Sequence, residues 1–273
     1  MRSKLTRRRF LAGTAAAGVT AVGVACPAIA RAAEGQWGDL VGRFIYDGKA
    51  PERKKLTVDK DVDCCGKFDI RDESLMVGPD GGLANVFVYL RSRIAAVSTA
   101  VEKSLPKRVV LDNRDCIFQP HCMGVWYGKQ EFLIINSDPV AQNVDFKPMG
   151  DTPANIVLPA YDAKKSPDKK VEATWKFAQA QFAPILIKCN YHPWESGYIL
   201  IRSNPYHAVS AADGTFRIAK LPVGKLEFQL WHERVTYLDA PGWPKGRCEI
   251  AIRPDRNDLG TIRLAPTRLE RKS

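Results

Sequence analysis

Residues 117–146 read Ile117-Phe118-Gln119-Pro120-His121-Cys122-Met123-Gly124-Val125-Trp126-Tyr127-Gly128-Lys129-Gln130-Glu131-Phe132-Leu133-Ile134-Ile135-Asn136-Ser137-Asp138-Pro139-Val140-Ala141-Gln142-Asn143-Val144-Asp145-Phe146. Two apolar runs, 117–127 and 130–136, flank a turn at Gly128, and the second ends on Asn-Ser-Asp-Pro. Short runs of β-branched and aromatic residues bounded by such turn formers are the pattern of antiparallel strands.

The same texture extends in both directions. Upstream, Leu40–Tyr46 closes on Asp47-Gly48, and Val86, Val88 and Leu90 alternate with Phe87 and Tyr89 after the turn Pro79-Asp80-Gly81-Gly82. Further runs lie at 107–111, 171–178, 184–189, 197–202, 214–219, 225–232, 247–252 and 259–264. Only Ile94 to Leu105 offers a helix, and it is short. So many short strands predict an all-β, Greek-key β-sandwich whose sheets hide alternating faces. Helical bundles and doubly wound sheets are excluded.

Of the 41 basic residues, Arg2, Lys4, Arg7, Arg8, Arg9 and Arg31 fall in 1–32, which has no acidic residue. The remaining charge, about +5, is spread out and lacks the basic stripe that nucleic acid requires. After residue 32 nothing approaches the roughly 18 apolar residues of a membrane span. Residues 1–32 have the layout of a cleavable export signal: a basic start, a small apolar run from Thr14 to Ala25, and Ala28, Ala30 and Ala32 near the cleavage point. Arg-Arg before Phe10-Leu11 resembles a twin-arginine signal, which implies a periplasmic or otherwise exported protein.

Residues 207–233 carry a second recognisable unit. Asp213-Gly214 supplies a turn, Phe216 and Ile218 share a face, and Leu221-Pro222-Val223-Gly224 turns into the next strand. This resembles the carboxypeptidase-regulatory, transthyretin-like (Ig-like) sandwich, whose opening strand is similar to Gly38–Gly48. The resulting division is 1–32 signal, 33–82 N-terminal strand and loop of a small sandwich, 83–203 central domain, and 204–273 remainder of the small sandwich. One continuous multi-sheet body is the alternative.

The central segment resembles cupredoxins, and with Cys189-Asn-Tyr-His192-Pro-Trp and Asn136-Ser-Asp-Pro-Val it is similar to an exported plastocyanin-like group, some labelled methylamine-utilisation-like. The resemblance rests on Phe118-x-Pro120, the Gly128 turn, the apolar approach to Asn136, and Cys189-x-x-His192. A blue-copper site needs two imidazoles, one thiolate and a weak axial ligand on loops at one end of a sandwich. The resemblance therefore implies copper, one-electron transfer and a redox protein partner. Two positions depart from it. Gln142 stands where the first copper histidine falls, and Glu195, Ser196 and Gly197 occupy the stretch that should supply an axial methionine.

Three outcomes stay open. His121 or Gln142 completes a copper set with Cys189 and His192, with Met123 as a nearby sulfur. Alternatively the chain is a structural or interaction module that has lost its metal. In the third, Cys189, His192 and Glu195 bind another metal, zinc being compatible. His207 and His232 are weaker candidates, and His232, in Leu-Trp-His-Glu at a strand end, reads as a hydrogen-bonded packing residue. Export favours disulfides, and Cys64 or Cys65 with Cys116 is the preferred pairing. No serine elbow, zincin helix, Walker loop or dinucleotide fingerprint occurs, and the chain has only four histidines. It reads as a non-enzyme.

Overall fold

The computed structural model describes residues 36–167 and 170–270; the export signal expected at 1–32 lies outside them. The elements in order are β1 (Trp37–Tyr46), α1 (Val62–Cys65), β2 (Phe87–Leu90), α2 (Thr99–Ser104), β3 (Arg108–Arg114), β4 (Ile117–Gln119), β5 (Cys122–Trp126), β6 (Glu131–Asn136), β7 (Gln142–Phe146), β8 (Ala154–Leu158) and β9 (Val171–Trp175). They continue as β10 (Ile185–Lys188), β11 (Ser196–Arg202), β12 (His207–Val209), β13 (Thr215–Pro222), β14 (Gly224–His232), β15 (Thr236–Tyr237), β16 (Arg247–Ile252) and β17 (Asp255–Leu264).

Four sheets stack as two sandwiches. In the first, a three-stranded sheet β13-β1-β17 covers a sheet ordered β12-β2-β14-β15, with β16 also on β14. Its core takes the inward residues of each strand: Leu40 and Phe44, Val88 and Leu90, Phe216 and Ile218, Leu226 and Phe228, and Ile262 and Leu264. Each such side chain contributes about 1.5–3 kcal/mol by leaving water. Strand β2, grouped with the central segment by its position after residue 83, runs instead between β12 and β14 in this sheet. The small sandwich is thus assembled from both ends of the chain around the segment that forms the second.

In the second sandwich, β4-β3-β6-β9 faces β5-β11-β10-β7-β8. Leu111, Phe118, Met123, Val125, Phe132, Ile134, Phe146, Ile187 and Ile199 fill the space between. The run 117–127 divides into β4 and β5 at a cis Gln119–Pro120 bond. Strands β7 and β8 were not visible as alternation. β7 is buried throughout yet holds Gln142, Asn143 and Asp145.

The sandwiches are fused. Phe87, Tyr89 and Trp231, on the outer face of β2 and β14, pack with Cys122 and Leu200 from β5 and β11. Strand β2 is consequently buried on both faces. Arg202 donates to the carbonyls of Leu90 and Gln181 across the same junction and lies 5.1 Å from the Tyr89 ring. Gly124 is required there, because a Cβ would stand 2.2 Å from the His207 ring.

The long connection between β1 and β2 reaches over to the second sandwich. Cys65 and Ile70 are buried with Cys116, and Val58, Phe68, Val140 and Trp194 pack around them. The Cys65 and Cys116 sulfurs stand at disulfide distance, 2.01 Å. This satellite core lays α1 across the end of the sandwich that carries residues 189–195. Among the described residues no helix is long and apolar enough to cross a membrane.

Candidate metal centre

Three segments of the second sandwich converge beneath α1: the start of β7, the turn between β10 and β11, and the Asn136–Asp138 bend after β6. The β10–β11 turn is fixed by backbone bonds from Cys189 N to Glu195 O (3.0 Å) and from Glu195 N to His192 O (2.9 Å). That closure turns three side chains of one short loop inward. Cys189, His192 and Glu195 are each buried. One donor atom from each lies within 4.8 Å of the other two.

Gln142 stands at the centre of this group. Its Oε1 is 2.7 Å from His192 Nδ1 and 3.5 Å from Cys189 Sγ. Its amide nitrogen donates to Glu195 Oε1 at 3.1 Å and to Asp138 Oδ2 at 3.2 Å. Two carboxylates therefore fix which way the amide points, and its oxygen must face the histidine and the cysteine. Asn143 Oδ1 accepts from the backbone N–H groups of Asn190 and Tyr191 and from the Cys189 thiol at 3.3 Å, which anchors the turn to β7.

Asp61, at the start of α1, reaches His192 from outside; its Oδ2 is 2.8 Å from Nε2. Oxygen atoms therefore face both ring nitrogens, Gln142 Oε1 from inside and Asp61 Oδ2 from outside. An ion taken at Nδ1 would leave Nε2–H on Asp61, the arrangement by which carboxylates orient metal-binding histidines.

Burial and the hydrogen bond from Gln142 act in opposite senses on Glu195. Burial wins, and its carboxyl is pushed up to about 8. Its Oε2 is buried without a hydrogen-bond partner. Burial, followed by the nearby Glu195 charge, also raises the Cys189 thiol, and burial raises Asp138. An unpaired buried carboxyl oxygen costs free energy, and the other oxygen of the same group, Oε1, lies 3.6 Å from His192 Nδ1. This donor set fits a transition-metal cation: thiolate and imidazole are ligands for copper and zinc, and a carboxylate and an amide oxygen are admissible additions.

The structure brings together Cys189, His192, Glu195 and Gln142 but not His121 or Met123. The nitrogens of His121 face Glu233 Oε1 at 2.6 Å and Glu73 Oε2 at 3.6 Å, beside a cavity of about 230 Å³. Burial opposes its charge, but Glu233 and Glu73 outweigh that and raise its pKa. The structure thus holds the His121 ring between two acidic side chains rather than in the group around Cys189. Met123 is packed in the core of the second sandwich. His207 packs against Gly124 at the fusion and His232 is buried; each leaves one ring nitrogen without a hydrogen-bond partner. Asp61, Asp138 and Asn143 had not been singled out. Asn143 adjoins Gln142, whereas nothing in the sequence marks Asp61 as a neighbour of His192.

No family profile matches the chain, and no curated protein sequence does. Solved structures of amicyanin are similar over part of it. A copper(I) form of one amicyanin mutant aligns at 18% identity over 37% of this chain and 89% of its own, with a TM-score of 0.28. A second copper(I) mutant aligns at 17% identity over 42% and 98%, with the same score. Likeness at that level carries no weight for the metal, and the reading of the centre rests on its residues.

Proposed function

We propose that this chain is an exported copper-binding β-sandwich protein, with Cys189 Sγ, His192 Nδ1 and a Glu195 carboxylate oxygen as ligands and Gln142 Oε1 as the fourth donor. It acts in this reading as a one-electron carrier for a redox protein partner rather than as an enzyme. The observation that carries it is the convergence of a thiol, an imidazole and a carboxyl group within 4.8 Å, the carboxyl having one oxygen without a hydrogen-bond partner.

Copper held there would supply the one-electron couple. The chain's residues supply its surroundings. Asp61 keeps the proton on His192 Nε2 and so turns the Nδ1 lone pair inward. Asn143 holds the turn that presents Cys189. Asp138 and Glu195 orient the Gln142 amide, and burial of the loop excludes water. Two oxygen donors make the set harder than two imidazoles and a thioether would, which favours the oxidised cation. Asp61 is half-exposed and links the buried imidazole to the surface where a partner would dock.

The test is titration of metal-free protein with Cu(II), followed by desalting, metal analysis and a visible spectrum. One retained equivalent with a thiolate-to-copper band, abolished in Cys189→Ser and weakened in Glu195→Gln, is the expected result. Retention of zinc in preference to copper, with no colour, would leave the metal site and remove the electron-transfer role. Retention of neither metal would leave a packing module.

A further inference from the structure

A second group of ligating atoms adjoins the first. The sulfurs of Cys64, Cys65 and Cys116 lie within 4.8 Å of one another. Cys65 and Cys116 are fully buried, whereas Cys64 is half-buried with a free thiol. Cys64 lines a cavity of about 410 Å³ with Asp61, Lys67 and Val140, so the trio has a route to solvent on one side. On the other, Cys116 Sγ lies within 4.8 Å of carboxylate oxygens of Asp138 and Glu195. Cys116 N donates to Asp138 at 3.0 Å, and Trp194 donates to Cys116 O at 2.9 Å. The two clusters thus share Glu195 as a wall.

We propose that Cys64, Cys65 and Cys116 form a second, redox-gated site for a soft monovalent cation such as Cu(I), closed by the Cys65–Cys116 disulfide and opened when a dithiol reduces it. With the bond intact, two of the three sulfurs are committed to each other and Cys64 alone remains. Reduction by a dithiol cleaves the S–S bond, gives one thiol on each of Cys65 and Cys116, and leaves the reductant as its own disulfide. A bound cation then displaces the thiol protons to solvent. Three sulfurs around one cation at bonds of about 2.3 Å stand about 4 Å apart, so the Cys65 and Cys116 sulfurs must part on reduction, while Cys64 already lies within 4.8 Å of both. Thiolates select soft cations over the harder ions that water and carboxylates hold. The proposal needs neither Cys189 nor His192.

The experiment uses the full chain and a Cys189→Ser variant, which lacks the first centre's thiolate. Each is kept oxidised or is reduced anaerobically with dithiothreitol and desalted, and thiols are counted. Cu(I) binding is then measured by competition with bicinchoninate. Reduction is expected to add one tightly held Cu(I) in both proteins. Cys64→Ser, which leaves the disulfide intact, is expected to weaken that added equivalent by more than about tenfold, since even losing a residue that only orients a ligand costs 10–100-fold. It also separates the trio from binding by Cys122 or Cys248.

The proposal is overturned if reduced protein with its new thiols counted holds no more Cu(I) than oxidised protein. Retention of the added Cu(I) by Cys64→Ser at full affinity overturns it too. Circular dichroism covers the case in which reduction unfolds the chain. Cu(I) should then restore the fold of the native sequence but not that of Cys64→Ser, and a chain that stays unfolded with Cu(I) present counts against the site. Failure of the Cys189 centre would appear separately, as equal copper binding by oxidised native and Cys189→Ser proteins.

Discussion

Replacing both Cys65 and Cys116 by alanine tests how the segment over the centre is held. The disulfide closes a loop of sequence separation 51, and loop-closure entropy for that length corresponds to about 4 kcal/mol at 25 °C. Losing two buried sulfurs adds on the order of 1 kcal/mol. Other bonds of the segment run largely within it, such as Leu56 N to Ile70 O and the guanidinium of Arg53 to Asp72 O. They shape the loop without tying it to the sandwich. What remains as a tie is the packing of Ile117, Val140 and Trp194, the Asp61–His192 contact and the Glu73–His121 ion pair. The double variant should therefore lose about 4–5 kcal/mol in urea unfolding. Its slope should be steeper, because an uncrosslinked chain exposes more surface. The thermal midpoint should fall by roughly 10–15 °C for a body of this size. Fluorescence of Trp194, packed against the disulfide, should change in the same transition. A loss below about 1 kcal/mol would refute the reasoning, because the segment would then be held by its packing alone.

Three further outcomes follow from the site and the fusion. Gln142→His puts an imidazole where the amide oxygen faces His192 and Cys189; copper affinity should rise by at least about tenfold and the thiolate-to-copper band should intensify, and an unchanged spectrum would remove Gln142 from the ligand set. Asp61→Asn should weaken metal binding by about 10–100-fold while leaving the unfolding midpoint within about 0.5 kcal/mol of native, as measured by competition titration and urea unfolding. His232 is buried, and burial and then the Arg234 charge lower its pKa from 6.5 to about 3. The unfolded chain binds the proton first, so this stabilisation is complete above about pH 6.5 and is lost as pH falls towards 3, by up to about 5 kcal/mol. His232→Asn, which retains an acceptor for Arg234 N, should flatten that part of the pH–stability curve; an unchanged slope would count against a neutral buried ring.

Most strands were legible because their side chains alternate, and the Cys189, His192 and Glu195 spacing was legible because one turn carries all three. Gln142 was reachable by counting from Asn136. Strand β7 escaped because its polar residues are buried, the Gln142 and Asn143 amides at the centre and Asp145 beside Lys188, so polarity gave no face. Asp61 escaped because 131 residues separate it from His192; no periodicity spans that distance. His121 misled for a similar reason. Its position beside Pro120 suggested the end of the sandwich, but its ring is set by Glu233, 112 residues later.

The parallel pairing of β1 with β17 bears on how the chain reaches this state. Asn257 bonds the carbonyl of Asp39 across 218 residues, so the first strand has its final neighbour only when nearly all the chain exists. At about 5–20 residues per second, synthesis leaves that strand waiting roughly 10–40 s. The second sandwich, whose strands lie between residues 108 and 202, can assemble during the wait. The first cannot, and for most of that interval β1 lacks both β13 and β17, its backbone N–H and C=O edges unpaired and its apolar face uncovered.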